Sequence, residues 1–397
     1  MTNLRRLSLA AMAAATGVTF VPLEAEIIKE TAPLRTQIEG PVVMPADTRD
    51  HLLFVTAMVN GRGPFRMFVD TGCSFTLVTP ELAAAVNART TADTDADAAA
   101  LNSLGEIVAL PLVLLDSVEL GRARFEGVVA AIAPFSGLAM IDGIRVDGAL
   151  GFSFFSEVLL GLDYPGSRLL LTSRWPEGLP PLRAEMHVRE HSEVPFVMAR
   201  VQGRALEVQI DSGANGGMRI PGDLAAELSW KAEPRPGPLV EAVGDEERDY
   251  IGRLAGRLTV GELEQIEPVV SIGGRLPALG YDILHRYCVV FDQRSDLVRF
   301  YSKEAGTIPA PSERSVGLSL KRDPAGWRVA GVIPGSPAEE AHLAAGDLVA
   351  RIEGRRATDW ARDQIHDWVE NHEAMALVVS TPSGSRKVRL RVWSLVP

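Results

Sequence analysis

Residues 54–72 read FVTAMVNGRGPFRMFVDTG, and residues 196–213 read FVMARVQGRALEVQIDSG. Both run Phe-Val-x-Ala-x-Val-x-Gly-Arg, then a hydrophobic stretch, then Asp-[Thr/Ser]-Gly. One residue of gap near Gly63 brings Asp70 over Asp211. Pro80 and Pro221 each lie ten residues further on and open the short helical stretches ELAAAV and GDLAAEL. VELGRARFEGVVAAI, from Val118, then aligns without gaps on LTVGELEQIEPVVSI, from Leu258. ALG at 149–151 pairs with ALG at 278–280, and LDYPGSRLLLTS from Leu162 with FDQRSDLVRFYS from Phe291. Five blocks in the same order mark an internal duplication. Their alternation of apolar and polar residues predicts strands. Each copy is expected to be a lobe of antiparallel strands with one short helix, spanning 40–178 and 188–303, with the Pro-rich RWPEGLPPLRAE running between them.

Composition agrees with a β-rich reading. The 397 residues are 46% hydrophobic and 23% charged, with 36 Gly and 26 Pro punctuating short Val/Ile/Leu runs. The net charge of −11 comes without any long block of like charge. Nucleic acid is therefore not an expected partner. The two cysteines, Cys73 and Cys288, fit neither a zinc site nor a disulfide framework. They fall in different lobes and are expected to be free thiols. At the N-terminus Arg5 and Arg6 precede LSLAAMAAATGVTFV and then LEAE. This reads as an export signal over 1–25, cleaved after Ala25, which implies a periplasmic or secreted protein. The apolar run is short for a membrane span, so no stable span is expected once the signal is removed. An uncleaved anchor or a plain helix is the alternative.

A lone Asp-[Ser/Thr]-Gly arises by chance on the order of 0.2 times in a chain of this length, and alone it reads as a turn. Here it occurs twice, at equivalent places in a repeat, each time after a hydrophobic strand (MFV or VQI). Asp70, Thr71 and Gly72 with Asp211, Ser212 and Gly213 resemble the motifs of pepsin-like and retropepsin-like aspartic proteases. The resemblance covers about 260 residues. It implies a mainly β fold in which duplicated retropepsin-like barrel lobes form a pepsin-like bilobal unit. It also implies that Asp70 and Asp211 are a catalytic pair, that the Thr71 and Ser212 hydroxyls brace it across the lobes, and that Gly72 and Gly213 allow close packing. Leu150 and Gly151, with Leu279 and Gly280, match the segments that pack beside the two Asp loops in that family. Two carboxylates about 3 Å apart cannot both ionise, so they share one proton, and one acts as base while the other acts as acid. No metal or organic cofactor is required. In pepsin-like enzymes a Ser or Thr after the Gly hydrogen-bonds the carboxylate; Cys73 and Ala214 stand there in this chain, which leans toward the retropepsin side. Flap candidates are LNSLGEIV around Gly105 and EAVGDEER around Gly244. APFSGLAMIDGIRVD, from Ala133, has no counterpart in the second copy.

After EAGTIPAPSERS the pattern changes. GLSL at Gly317 is followed by WRVAGVIPGSPAEEAHLAAGDLVARIEGRRATDW. Pro334, Gly335, Ser336, Pro337 and Ala338, then Gly346, Asp347, Leu348, Ile352 and Gly354, make residues 312–395 resemble bacterial PDZ domains. Such domains capture peptide C-termini by adding them to a sheet edge. The resemblance implies that Gly317 and Leu318 form the carboxylate-binding loop and the start of that edge, with DQIHDWVENH as the flanking helix. HExxH, nucleophile-elbow, phosphate-loop and dinucleotide patterns are absent. The expectation is an exported aspartic endopeptidase acting on polypeptides. Its alternatives are a non-catalytic peptide-binding adaptor on the same folds and a protease activated by propeptide removal or dimerisation.

Overall fold

The computed structural model describes residues 33–49, 51–90, 98–101, 107–133, 140–141, 144–190, 192–242, 245–310, 313–382 and 384–397. The expected export signal over 1–25, the flap tips at Gly105 and Gly244, and part of the 133–147 insertion lie outside these residues.

The duplicated sequence folds into duplicated hairpins. Strands Leu52–Val59 and Arg62–Asp70 are joined through Asn60 and Gly61, both at positive φ (49° and 70°). Strands Phe196–Val201 and Arg204–Ile210 are joined through Gln202 and Gly203, also at positive φ (52° and 82°). Two successive residues at positive φ are what a tight hairpin with right-twisted strands demands. The second hairpin pairs without interruption from Phe196↔Gln209 to Val201↔Arg204, whereas the first shifts register between Ala57 and Val59. The single gap in the alignment is thus a β-bulge, with Gly63 and Pro64 set against Met58.

In lobe one, six strands close into a barrel. Their order is Ala123–Ile132, Thr76–Val78, Gly148–Gly151, Arg62–Asp70, Leu52–Val59 and Leu112–Leu120, and the last pairs back onto the first. Lobe two repeats the order with Val269–Ile272, Met218–Ile220, Ala278–Leu279, Arg204–Ile210, Phe196–Val201, Arg257–Val260 and Leu263–Ile266. Its first and last strands correspond to one continuous strand of lobe one. The reason is local. Gly127 and the aligned Glu267 both bend the chain at positive φ (66° and 49°), but in lobe two Pro268 follows and cannot donate to the ladder.

A six-stranded antiparallel sheet joins the lobes, in the order Leu182–His187, Leu297–Tyr301, Cys288–Asp292, Leu159–Asp163, Arg168–Thr172 and Val42–Pro45. At its centre Leu160 pairs Phe291 and Leu162 pairs Val289. The connector between the lobes therefore supplies an edge strand of this sheet. One hydrophobic core runs through both barrels and the joining sheet, with Phe125, Phe152, Phe154, Phe155, Phe291 and Phe300 fully buried within it.

The C-terminal domain has its own core around Trp327, Val349, Ile352 and Met375. The stretch before it is not a free tether: Ile308 is buried, its N–H donates to the Glu264 carbonyl (2.7 Å), and Gln265 Nε2 donates to the Pro309 carbonyl (3.0 Å). The domain docks on a long hairpin of lobe two, Trp230–Ala242 with Asp245–Leu254. Ile251 and Val269 of the lobe pack on Ile333, Leu395 and Val396 of the domain. Arg253 donates to the Val396 and Pro397 carbonyls, and Leu239 N–H donates to Ser319 Oγ at 2.8 Å. Trp230–Ala242 is an edge strand whose register shifts repeatedly, which is how it tolerates Pro234, Pro236 and Pro238.

Candidate active site

Each candidate aspartate sits where its barrel strand ends. Gly151 pairs Asp70 in a parallel ladder, and Asp211 N–H donates to the Leu279 carbonyl (2.9 Å). Leu150 and Leu279 are buried behind these loops. A side chain at Gly151 would overlap the Phe75 backbone, and one at Gly280 would meet the Ala214 carbonyl at 2.7 Å. Both Leu-Gly segments thus lie against the Asp loops.

The two loops interlock across the lobes. Thr71 N–H donates to Ser212 Oγ, and Ser212 N–H donates to Thr71 Oγ1, each at 2.9 Å. The hydroxyls continue outward, from Thr71 Oγ1 to the Ile210 carbonyl (2.7 Å) and from Ser212 Oγ to the Val69 carbonyl (2.9 Å). Thr71 and Ser212 are fully buried, so every group in this ring depends on a partner from the other lobe. Gln209 Nε2 adds a bond to the Gly72 carbonyl (2.9 Å).

The aspartates face each other over the two glycines. Gly72 N–H donates to Asp70 Oδ1 (2.9 Å) and Gly213 N–H to Asp211 Oδ1 (2.8 Å). A methyl at Gly213 would sit 2.7 Å from Asp70 Oδ1, and one at Gly72 would overlap the Asp211 carboxyl outright. Each carboxyl therefore rests on the other lobe's glycine, which brings the two carboxyls together. Gly72→Ala is expected to force the lobes apart, with a loss of at least about 100-fold in any activity that needs both carboxyls, because displacements of about 1 Å cost that much. Steady-state kinetics alongside thermal unfolding will test it; unchanged kinetics in a folded variant would contradict the close approach.

Burial dominates the electrostatics. It pushes the Asp70 carboxyl up to about 8, helped by the charge of Asp211 and opposed by the Gly72 N–H. Burial raises Asp211 as well, against the Gly213 N–H and the guanidinium of Arg219. Cys73 directs its thiol at the Phe75 carbonyl (3.1 Å), not at a carboxyl, and burial followed by the charge of Asp70 raises it so far that it stays a neutral thiol. Ala214 offers no side-chain donor. Both cysteines are free. Among the described residues no group of His, Cys, Asp and Glu is arranged to hold a metal, and no helix is long and apolar enough to cross a membrane.

In the C-terminal domain Gly317 takes positive φ (90°), its N–H is held by Ser315 Oγ (2.9 Å), and a side chain there would overlap Ser336. Leu318 begins the strand Leu318–Asp323, which lies at the end of its sheet. Leu318 and Leu320, with Ile365 and Trp368 of the helix Arg362–Asn371, pack partly exposed on one core. Sequence reasoning did not single out Arg219, nor Leu239, Arg248 and Arg253, which hold the C-terminal domain. The ungapped repeat sets Arg219 over Val78, and only the strand ladders place it where lobe one has Leu77; the docking residues carry no local signal.

A bilobal β unit built around paired Asp-[Thr/Ser]-Gly loops, followed by a PDZ-like domain, is the class these features define. Residues 55–154 match the family model described as aspartyl protease, and residues 307–380 match that of the PDZ domain. The chain thus carries an aspartyl protease domain and a C-terminal PDZ domain. Among solved structures it is similar to a photosystem II D1 C-terminal processing protease, at 23% identity over 21% of this chain and 24% of that chain, with a TM-score of 0.20. It is also similar to the HtrA3 PDZ domain bound to a phage-derived ligand (FGRWV), at 18% identity over 20% of this chain and 85% of that chain, with a TM-score of 0.19. No curated protein matches it.

Proposed function

We propose that the protein is an aspartic endopeptidase that hydrolyses polypeptides with water activated between Asp70 and Asp211, and that it works outside the cytoplasm. The observation that carries the reading is the paired placement of the two carboxyls, each seated on the other lobe's glycine and each at a strand end. One carboxylate takes a proton from water as the oxygen adds to the peptide carbonyl carbon, while the other gives its proton to the carbonyl oxygen. Collapse of the adduct returns that proton and passes the first to the leaving nitrogen, so the C–N bond breaks and the pair regains its starting state. The intact Asp, hydroxyl and Gly in both loops favour turnover over a purely binding role. The Arg5/Arg6 segment and its apolar run support export. The PDZ domain would present a peptide C-terminus along Leu318–Asp323, next to the lobe on which it is docked.

The pair is active while it holds one proton. Its upper apparent pKa, carried mainly by Asp70 at about 8, sets the alkaline limb. Cleavage of an unbiased peptide library is expected to be strongest at mildly acidic to neutral pH, to fall above about pH 8, and to be blocked by a pepstatin-type transition-state mimic. A profile peaking below about pH 3, in the range of the pepsin pair, or no cleavage at any pH would count against the proposal. The same group links stability to pH. Its folded pKa lies above its ordinary value of 3.8, so its contribution is full below that value and is lost as pH rises toward about 8.

A further inference from the structure

The repeat allows the two halves of the site to be compared residue by residue, and they differ in one row. In lobe one a cross-strand row runs Phe68–Ala149–Leu77–Ala131. All four residues are buried in one apolar cluster, against which Cys73 and Phe75 pack. In lobe two the equivalent row runs Gln209–Ala278–Arg219–Ser271. The residues flanking Gln209 and Arg219 along their strands (Val208, Ile210, Met218 and Ile220) are buried in the barrel core. Successive side chains of a strand point to opposite faces, so Gln209 and Arg219 point away from that core. Gln209 shows where that face looks, because its amide reaches the carbonyl of Gly72 in the opposite Asp loop.

Arg219 thus brings a cation to the Asp211 half of a pseudo-symmetric site whose Asp70 half has leucine. Its Nη2 lies 3.6 Å from Asp249 Oδ2, its side chain is 19% exposed, and its Nε is buried without a hydrogen-bond partner. Among the described residues, Cys73, on the Asp70 loop, and Tyr164, whose buried hydroxyl has no hydrogen-bond partner, also interact with the pair. Both are held neutral by burial. Arg219, with Asp249 beside it, is therefore the cation that distinguishes the two carboxyls.

We propose that Arg219 is a positioning residue that keeps the single negative charge of the pair on Asp211, so that Asp211 is the base that takes the proton from water and Asp70 is the acid. This rests on the reading of the site as a protease. The electrostatics of Asp211 agree with it: the guanidinium of Arg219 lowers that carboxyl against the rise that burial imposes. Chemically, an apolar row beside one carboxyl favours its neutral form, and a guanidinium beside the other favours its anion.

The test separates the carboxyls. In the Asp70→Asn protein the titration of Asp211, followed by carbon NMR of labelled aspartate, is expected to rise by about one unit or more on Arg219→Leu. Arg219→Lys should hold it within a few tenths. In the Asp211→Asn protein, Arg219→Leu should leave the titration of Asp70 nearly unmoved. Asp249→Asn, which removes the carboxylate competing for the guanidinium, should shift Asp211 downward, and this arm stands even if Arg219→Leu fails to fold. In the otherwise wild-type enzyme Arg219→Leu should carry the acidic limb of kcat/KM to higher pH. Equal shifts of the two aspartates, or none in either, would overturn the assignment. The titrations need no turnover, so a protein that cleaves nothing would defeat the protease reading while still deciding this one.

Discussion

Asp70→Asn and Asp211→Asn are each expected to lower kcat by at least about 10³-fold, within the span that a single acid–base group contributes. Either substitution removes one partner of the proton exchange and leaves an amide of nearly the same shape. Folding should survive, because the fully buried ring of Thr71 and Ser212 is untouched. Stability moves in a definite direction. Asp70 is costly to ionise where it lies, and each unit of pKa displacement corresponds to about 1.4 kcal/mol. Asp70→Asn should therefore unfold at a higher temperature than the wild type near pH 7, and its unfolding temperature should change less between pH 4 and 8. Peptide cleavage and scanning calorimetry across that range measure both effects. Near-wild-type turnover in either variant would end the two-carboxylate mechanism, and a wild-type pH dependence of stability in Asp70→Asn would show that Asp70 is not the strained member.

The second large effect is expected at the cross-lobe ring. Thr71→Val keeps shape and volume but deletes a hydroxyl that accepts from Ser212 N–H and donates to the Ile210 carbonyl. Both partners are then buried and unpaired, at about 1–3 kcal/mol each. Ser212→Ala does the same to Thr71 N–H and the Val69 carbonyl. Either change should lower the unfolding temperature by several degrees and reduce kcat, because the ring sets the distance between the carboxyls. Thr71→Ser should be close to neutral, since lobe two already uses serine in the equivalent place. The two deletions should not add, because they dismantle one network. Additive losses, or a Thr71→Val protein as stable as the wild type, would mean that the lobes are held mainly by the shared sheet.

That sheet shows how far local pattern reaches. Its strands are legible as apolar runs, and the repeat pairs LDYPGSRLLLTS with FDQRSDLVRFYS. Nothing in the local pattern says that Leu160, just before the first run, will lie beside Phe291. Proline-rich segments mislead in the same way. EPRPGP, at 233–238, does not read as a strand, yet it forms part of an edge strand because an edge needs few donors and tolerates shifted register. The stretch before the PDZ domain reads as a linker from composition, but Ile308 is buried against lobe two.

The sequence by itself determined the duplication, the two Asp-[Thr/Ser]-Gly loops, the glycines that must follow the aspartates, the extra residue near Gly63 and the presence of a PDZ-like unit. These follow from short-range rules: strand periodicity, turn chemistry and the matching of one copy to the other. The tertiary structure alone decided that each carboxyl rests on the opposite glycine, that Leu239, Arg248 and Arg253 fasten the PDZ domain to lobe two, and that Arg219 lies on the face shared with Gln209. Each of these relations joins residues far apart in the chain. It exists only because two barrels and a third domain bury surface against one another, and burial turns an ordinary carboxyl, amide or guanidinium into one whose partner matters.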